Sequence, residues 1–126
     1  IIYWDRFEQL MNACKTGDLD MVSQLCTVKE HINQAGCHGW TPLMVATYHG
    51  YYDIVRYLII NGADIYATNY NGTNLLMYAK AYYVNSGDAG MFELYYNMGL
   101  KLEQTDYTGY FAYMQVVFAE GGPFHE

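Results

Sequence analysis

A mainly α-helical solenoid of stacked helix–turn–helix units is the fold this sequence predicts. Three observations carry the prediction. The chain matches itself at a fixed offset of 33 residues, each period holds two short segments with helical apolar spacing, and glycines stand where those segments end. Take "GWTPLMVATYHG" (39–50) as the reference. One period earlier, Leu43, Met44, Ala46, Gly50 and Asp53 fall on Leu10, Met11, Ala13, Gly17 and Asp20, and Val55, Leu58 and Ile65 fall on Val22, Leu25 and Ile32. One period later, Gly39, Leu43, Met44 and Ala46 fall on Gly72, Leu76, Met77 and Ala79.

The reference copy defines the unit. Thr41 caps a helix with its hydroxyl, and Pro42 suits the first helical position, where no N–H is needed. That helix runs to His49 with Leu43, Met44, Ala46 and Thr47 on one face, and Gly50 permits the left-handed turn that ends it. "YDIVRYLIIN" (52–61) is a second helix with Ile54, Val55, Leu58 and Ile59 as its buried stripe, closed by Gly62. "ADIYATNYNG" lacks helical periodicity and carries Asn-Gly, a hairpin signal, while Gly39 allows the tight turn of the preceding loop. Asp20 and Asp53 recur at second-helix starts, where negative charge favours the helix dipole.

Beyond Ala79 the offset grows from 33 to 37, so Gly50, Val55, Gly62 and Gly72 meet Gly87, Phe92, Gly99 and Gly109. The four extra residues sit within 81–90 and lengthen the first helix of that copy or the turn after it. Asn74 takes the capping role of Thr41 there. "YFAYMQVVFAE" from Tyr110 supplies one helix of a partial fourth copy. The units are thus about 7–39, 40–72, 73–109 and a partial 110–119, forming one domain over 5–119 between terminal segments 1–4 and 120–126. Such units bury their apolar flanks only by stacking.

Composition removes several functions. With 126 residues, the chain has the usual size of one domain, and its 52% apolar content argues against disorder. The net charge of −7, with only six scattered Lys and Arg, disfavours nucleic acid and anionic membranes as partners. No apolar run approaches the roughly 18 to 20 residues of a membrane span. Cys14, Cys26 and Cys37 lack paired CxxC spacing; zinc held with His31 or His38 would need an unusual arrangement, so Cys14 and Cys26 read as small core residues and no metal or cofactor is expected. Unpaired cysteines fit a cytoplasmic location, although a removed leader would leave the same sequence. Neither Ser23 nor Ser86 lies in G-x-S-x-G, and there is no GxGxxG, P-loop or H-E-x-x-H, so no catalytic residue is assigned.

The phrase "GWTPLMVATYHGYYDIVRYLIINGADI" (39–65) resembles an ankyrin repeat, with its 33-residue period and T-P-L-H-x-A core. The resemblance runs from Phe7 to about Ala119, strongest in the second copy and fragmentary in the fourth. It departs from the family at the histidine after Thr-Pro-Leu, which is Met44 here, with Met11, Met77 and Met114 in register. An apolar ladder between copies is expected there instead. The third copy also reads Gly99-Leu100-Lys101 in place of Gly62-Ala63-Asp64, making it the least regular.

The resemblance implies protein binding, through a concave groove lined by hairpin tips and the exposed face of the first helices. Carried over by position, that surface holds Lys15 and Thr16; Cys37, His38, Trp40, Tyr48 and His49; Tyr70, Asn71, Thr73, Tyr82 and Tyr83; and Tyr107, Thr108 and Tyr110. The expected partner-binding residues among these are Trp40, Tyr48, His49, Tyr70, Asn71, Thr73, Tyr82, Tyr107 and Tyr110. Aromatic residues bring large contact area at small entropic cost. Fifteen tyrosines would place some in a groove by composition alone; Tyr82 and Tyr83 could instead brace the insertion, and Tyr95 reads as core. Asn71-Gly72-Thr73 matches a glycosylation acceptor, but Asn-Gly is what the turn requires anyway. The expected partner is another protein. The alternative is a structural or self-associating segment of a larger repeat protein, in which the apolar face of "FAYMQVVF" meets further chain or a second copy.

Overall fold

Asp5 begins the first helix: its carboxylate accepts the backbone N–H of Glu8 at 2.8 Å, satisfying one of the free donors at a helix start. The computed structural model that shows this describes residues 5–27 and 29–101. The partial fourth unit, with Tyr107, Thr108, Tyr110 and Met114, lies outside the described residues.

Each copy contributes an inner and an outer helix. The inner helices are α1 (Arg6–Thr16), α4 (Pro42–His49) and α6 (Leu75–Ser86); the outer ones are α2 (Leu19–Leu25), α5 (Tyr52–Ile60) and α7 (Gly90–Asn97). A single turn of helix, α3 (Lys29–Ile32), precedes the first loop and buries Ile32. The equivalent residues of the second copy, where "ADIYATNYNG" begins, lack helical periodicity; the first copy gains one turn here, with Ile32 buried. Caps are where the residue types put them. Thr41 Oγ1 accepts the N–H of Met44 at 3.4 Å, Asn74 Oδ1 that of Met77 at 3.1 Å, and Asp18 Oδ1 that of Met21 at 3.0 Å. Gly50 ends α4 at φ +78°, in the left-handed region that side chains disfavour.

The inner helices form a continuous row, α1 against α4 and α4 against α6, and each outer helix backs its own inner one. Leu10, Leu43 and Leu76 lie in one core cluster with Val22, Val55 and Phe92, all nearly fully buried. The four-residue insertion resolves as one added turn: α6 has 12 residues where α4 has eight.

The inner-helix position facing the outer layer reads Cys14, Thr47 and Lys80 through the three units, and all three are buried. Thr47 Oγ1 shares a 2.7 Å hydrogen bond with the hydroxyl of Tyr95, a core residue of the next unit. Lys80 Nζ lies 4.5 Å from the centre of the Tyr83 ring, a cation–π geometry. Asn33 ties the first unit to the second, donating from Nδ2 to the Gly62 carbonyl at 3.0 Å and accepting the Asp64 N–H at 2.7 Å. Its counterpart one period on is Tyr66, which is exposed, and Asn74 Nδ2 instead reaches the Lys101 carbonyl at 3.1 Å. The third unit departs from the pattern where its Gly-Ala-Asp is missing.

Candidate partner-binding surface

One asparagine organises the hairpin that leads into α6. Asn69 Oδ1 accepts the backbone N–H groups of Asn71 and Thr73, both at 2.9 Å, and the main chain closes the loop from Asn69 N–H to the Thr73 carbonyl at 3.0 Å. Gly72 alone in this turn has positive φ, at +85°, so Asn-Gly does not supply two left-handed residues in succession. Asn69 Nδ2 then donates to the hydroxyl of Tyr78 at 2.7 Å and fixes that ring at the start of the inner-helix face.

Tyr78 is the floor of an aromatic cluster. Trp40 lies over it with ring centres 4.4 Å apart, and Tyr48 meets both rings edge-on, at 5.9 Å from Trp40 and 6.3 Å from Tyr78. Such tilted and edge-to-face pairs are attractive beyond the area they bury. Tyr78 is buried, Trp40 half-buried, and Tyr48 36% exposed, so the group presents part of its rings to solvent. His49 extends it, edge-on to Tyr48 at 5.2 Å and stacked near Tyr51 at 6.2 Å. Desolvation, and secondly the charge of Lys15, lower the His49 pKa and favour the neutral imidazole.

The remaining expected residues divide. Tyr70 is 77% exposed at the hairpin tip, its N–H donating to the His38 carbonyl at 3.1 Å, so adjacent hairpins are joined by main chain. His38, in the preceding tip, takes a left-handed conformation at φ 59°. Asn71 is exposed beside Tyr70. Thr73 is buried in the base of the hairpin, and Tyr82 spreads its ring over the backbone of Gly50, where no Cβ intervenes. Trp40, Tyr48, His49 and Tyr70 therefore share the hairpin and inner-helix side, while Thr73 and Tyr82 serve the packing.

One helix further towards the N-terminus the same side carries an open slot of about 400 Å³. Phe7 and Met11 from α1 and Val45 from α4 supply apolar walls, Gly36 and Cys37 the hairpin edge, and Glu8, Asn12 and Lys15 the polar rim. Glu8 and Lys15 stand two turns apart on one face of α1. Among the described residues, no three His, Cys, Asp or Glu side chains group as a metal site, and no helix is long and apolar enough to cross a membrane. The Cys14 thiol, pushed up to about 12 mainly by burial and secondly by Cys26, is held in its inert protonated form.

The family profile for ankyrin repeats in three copies matches residues 5–69, just over half of the chain. The chain belongs to the ankyrin-repeat family. Ankyrin repeats generally mediate protein–protein interaction, and the family is typically non-catalytic. The chain is 42% identical over 73 residues to ankyrin repeat and SAM domain-containing protein 6 of Rattus norvegicus, covering 57% of this chain and 8% of that protein. It is 46% identical over 63 residues to protein phosphatase 1 regulatory subunit 27 of Homo sapiens, covering 50% of this chain and 41% of that one. An ankyrin repeat-containing protein of Saccharomyces cerevisiae is 30% identical over 70 residues, 56% of this chain and 14% of its own length. The matched stretch is thus a minor part of each relative.

Within this ankyrin stack the methionine that replaces the family's histidine does more than pad the interior. Met44 is fully buried, and its Sδ accepts the Thr41 N–H at 3.5 Å, closing a capping box with sulfur where the usual partner is Glu or Gln. Sequence reasoning missed Tyr78, Asn69 and the slot residues Phe7, Met11 and Val45. A signal existed for Tyr78: it sits at Val45's position one period on, the variable place in the T-P-L-H-x-A core.

Proposed function

We propose that this ankyrin-repeat chain is a non-catalytic binding module that takes a protein partner along a concave groove between its hairpin tips and inner helices, with Trp40, Tyr48 and Tyr70 as principal contacts. The observation that carries the reading is the ring cluster of Trp40, Tyr48 and Tyr78, whose outer edges stay open to solvent beside an exposed Tyr70. Aromatic side chains held rigid by their neighbours are the usual hot spots of interfaces. Similarity to a protein named as a phosphatase regulatory subunit supports a role exercised by contact.

The test compares the wild-type chain with Tyr48→Ala/Tyr70→Ala in affinity capture read by quantitative mass spectrometry, with Tyr96→Ala, an exposed tyrosine on outer helix α7, as control. Proteins retained by wild type and by the control should fall at least about tenfold on the double variant, the loss of one hot spot of about 2 kcal/mol being enough. Equal recovery on all three, with circular dichroism unchanged, would remove the groove from the mechanism.

A further inference from the structure

Resting on that groove reading, we infer that the ligand segment is a polyproline-II peptide with an apolar side chain at position i, a proline at i+3, and oppositely charged residues on either side of the apolar one. Two receptive features lie side by side. The slot of Phe7, Met11 and Val45 falls between α1 and α4, and the rings of Trp40, Tyr48 and Tyr78 fall between α4 and α6. Their separation is one helix-to-helix step, about 8–10 Å for packed helices.

That step selects a conformation. Polyproline II rises about 3.1 Å per residue and repeats every three, so i and i+3 point the same way about 9.3 Å apart. A β-strand, with its period of two, turns i+3 to the far side and brings i+2 only about 6.6 Å along. An α-helix is about 10–12 Å wide and would span the whole interval of about 10 Å between Glu8 and Lys15, riding on the charged rims rather than entering the slot. Proline lying on aromatic edges is the general mode by which such peptides are held.

Charge completes the description. Glu8 and Lys15, two turns apart along α1, flank the slot at its two ends on the α1 side. In a three-fold helix the residues at i−1 and i+1 lean to opposite sides of the residue between them, so for a peptide crossing from α1 towards α6 one leans along α1 towards Glu8 and the other towards Lys15. A basic residue towards Glu8 and an acidic one towards Lys15 match the site, and a doubly acidic pair does not.

Twelve-residue random peptides displayed on phage, panned on the full chain, test this. The enriched sequences should share an apolar residue followed three places later by proline, with one basic and one acidic neighbour. A synthetic peptide of that sequence should bind at least tenfold more weakly to Val45→Glu and to Tyr48→Ala, and Lys15→Glu should reverse the preferred charge on its side. If Val45→Glu fails to fold, Asn12→Arg, which fills the slot from its half-buried rim, should give the same loss. Ligands sensitive to Tyr48→Ala that lack the three-residue spacing, or that bind as helices, overturn this inference and leave the groove reading standing. Ligands indifferent to every groove substitution overturn both. An absence of any enriched sequence overturns the inference.

Discussion

Thr47 illustrates how much one buried hydroxyl can decide. Its side chain is fully enclosed, and it shares a hydrogen bond with the Tyr95 hydroxyl 2.7 Å away in the following ankyrin unit. Burial raises the Tyr95 pKa, the bond to Thr47 offsetting part of the rise, so the phenol stays neutral. Thr47→Val keeps the shape but orphans that phenol, and should cost about 1–3 kcal/mol in denaturant unfolding. Combining it with Tyr95→Phe removes both polar groups and should recover most of the loss. A double variant as weak as the sum of the two singles would show that the bond contributes little. The sequence places both residues in the core, Thr47 by helical spacing and Tyr95 by register with Leu58, yet the bond joins residues 48 apart and no local pattern announces it. Tyr78 was legible in principle, since its register with Val45 is plain. Its role depends on Asn69, a contact between hairpin and helix that spacing alone does not reveal.

Helix ends in this protein are set by short-range chemistry and were correspondingly readable. Thr41, Asn74 and Gly50 act where their residue types imply, and the offset change from 33 to 37 becomes one extra turn of α6. The single-turn helix at Lys29–Ile32 was not readable, because four residues carry too little periodicity to distinguish a turn from a loop. Gly50 gives an element-level test. It holds φ +78° and also lies under the Tyr82 ring, whereas Gly87 at φ +80° has, among the described residues, open space where a side chain would stand. Gly87→Ala therefore isolates the backbone cost of about 1–2 kcal/mol, and Gly50→Ala should cost clearly more by adding the collision with the ring. Equal losses in thermal or denaturant unfolding would mean that the ring swings aside freely.

Stability in a stacked array follows from how many neighbours each unit has. Inner helix α4 packs on α1, α5 and α6, while outer helix α2 packs on α1 and touches α5. Backbone amides of residues 43–47 should therefore exchange with solvent more slowly than those of 22–25 under native conditions. Equal protection would indicate that the array opens as one cooperative block. The order of the units is itself fixed by small structural details. Glycines 17, 39 and 50 each form a notch that receives the ring of a tyrosine lying nearer the C-terminus, respectively Tyr51, Tyr70 and Tyr82, and Gly90 accommodates the hydroxyl end of Tyr52. The tyrosines that fill the notches sit at different places in the repeat, so the copies are not interchangeable parts. Reordering them, or replacing one by an averaged copy, would keep the glycines at 17, 50 and 87 in register but leave hollows with no ring to fill them. The succession of copies along the chain is thus written into the joints between them, as much as into the bricks.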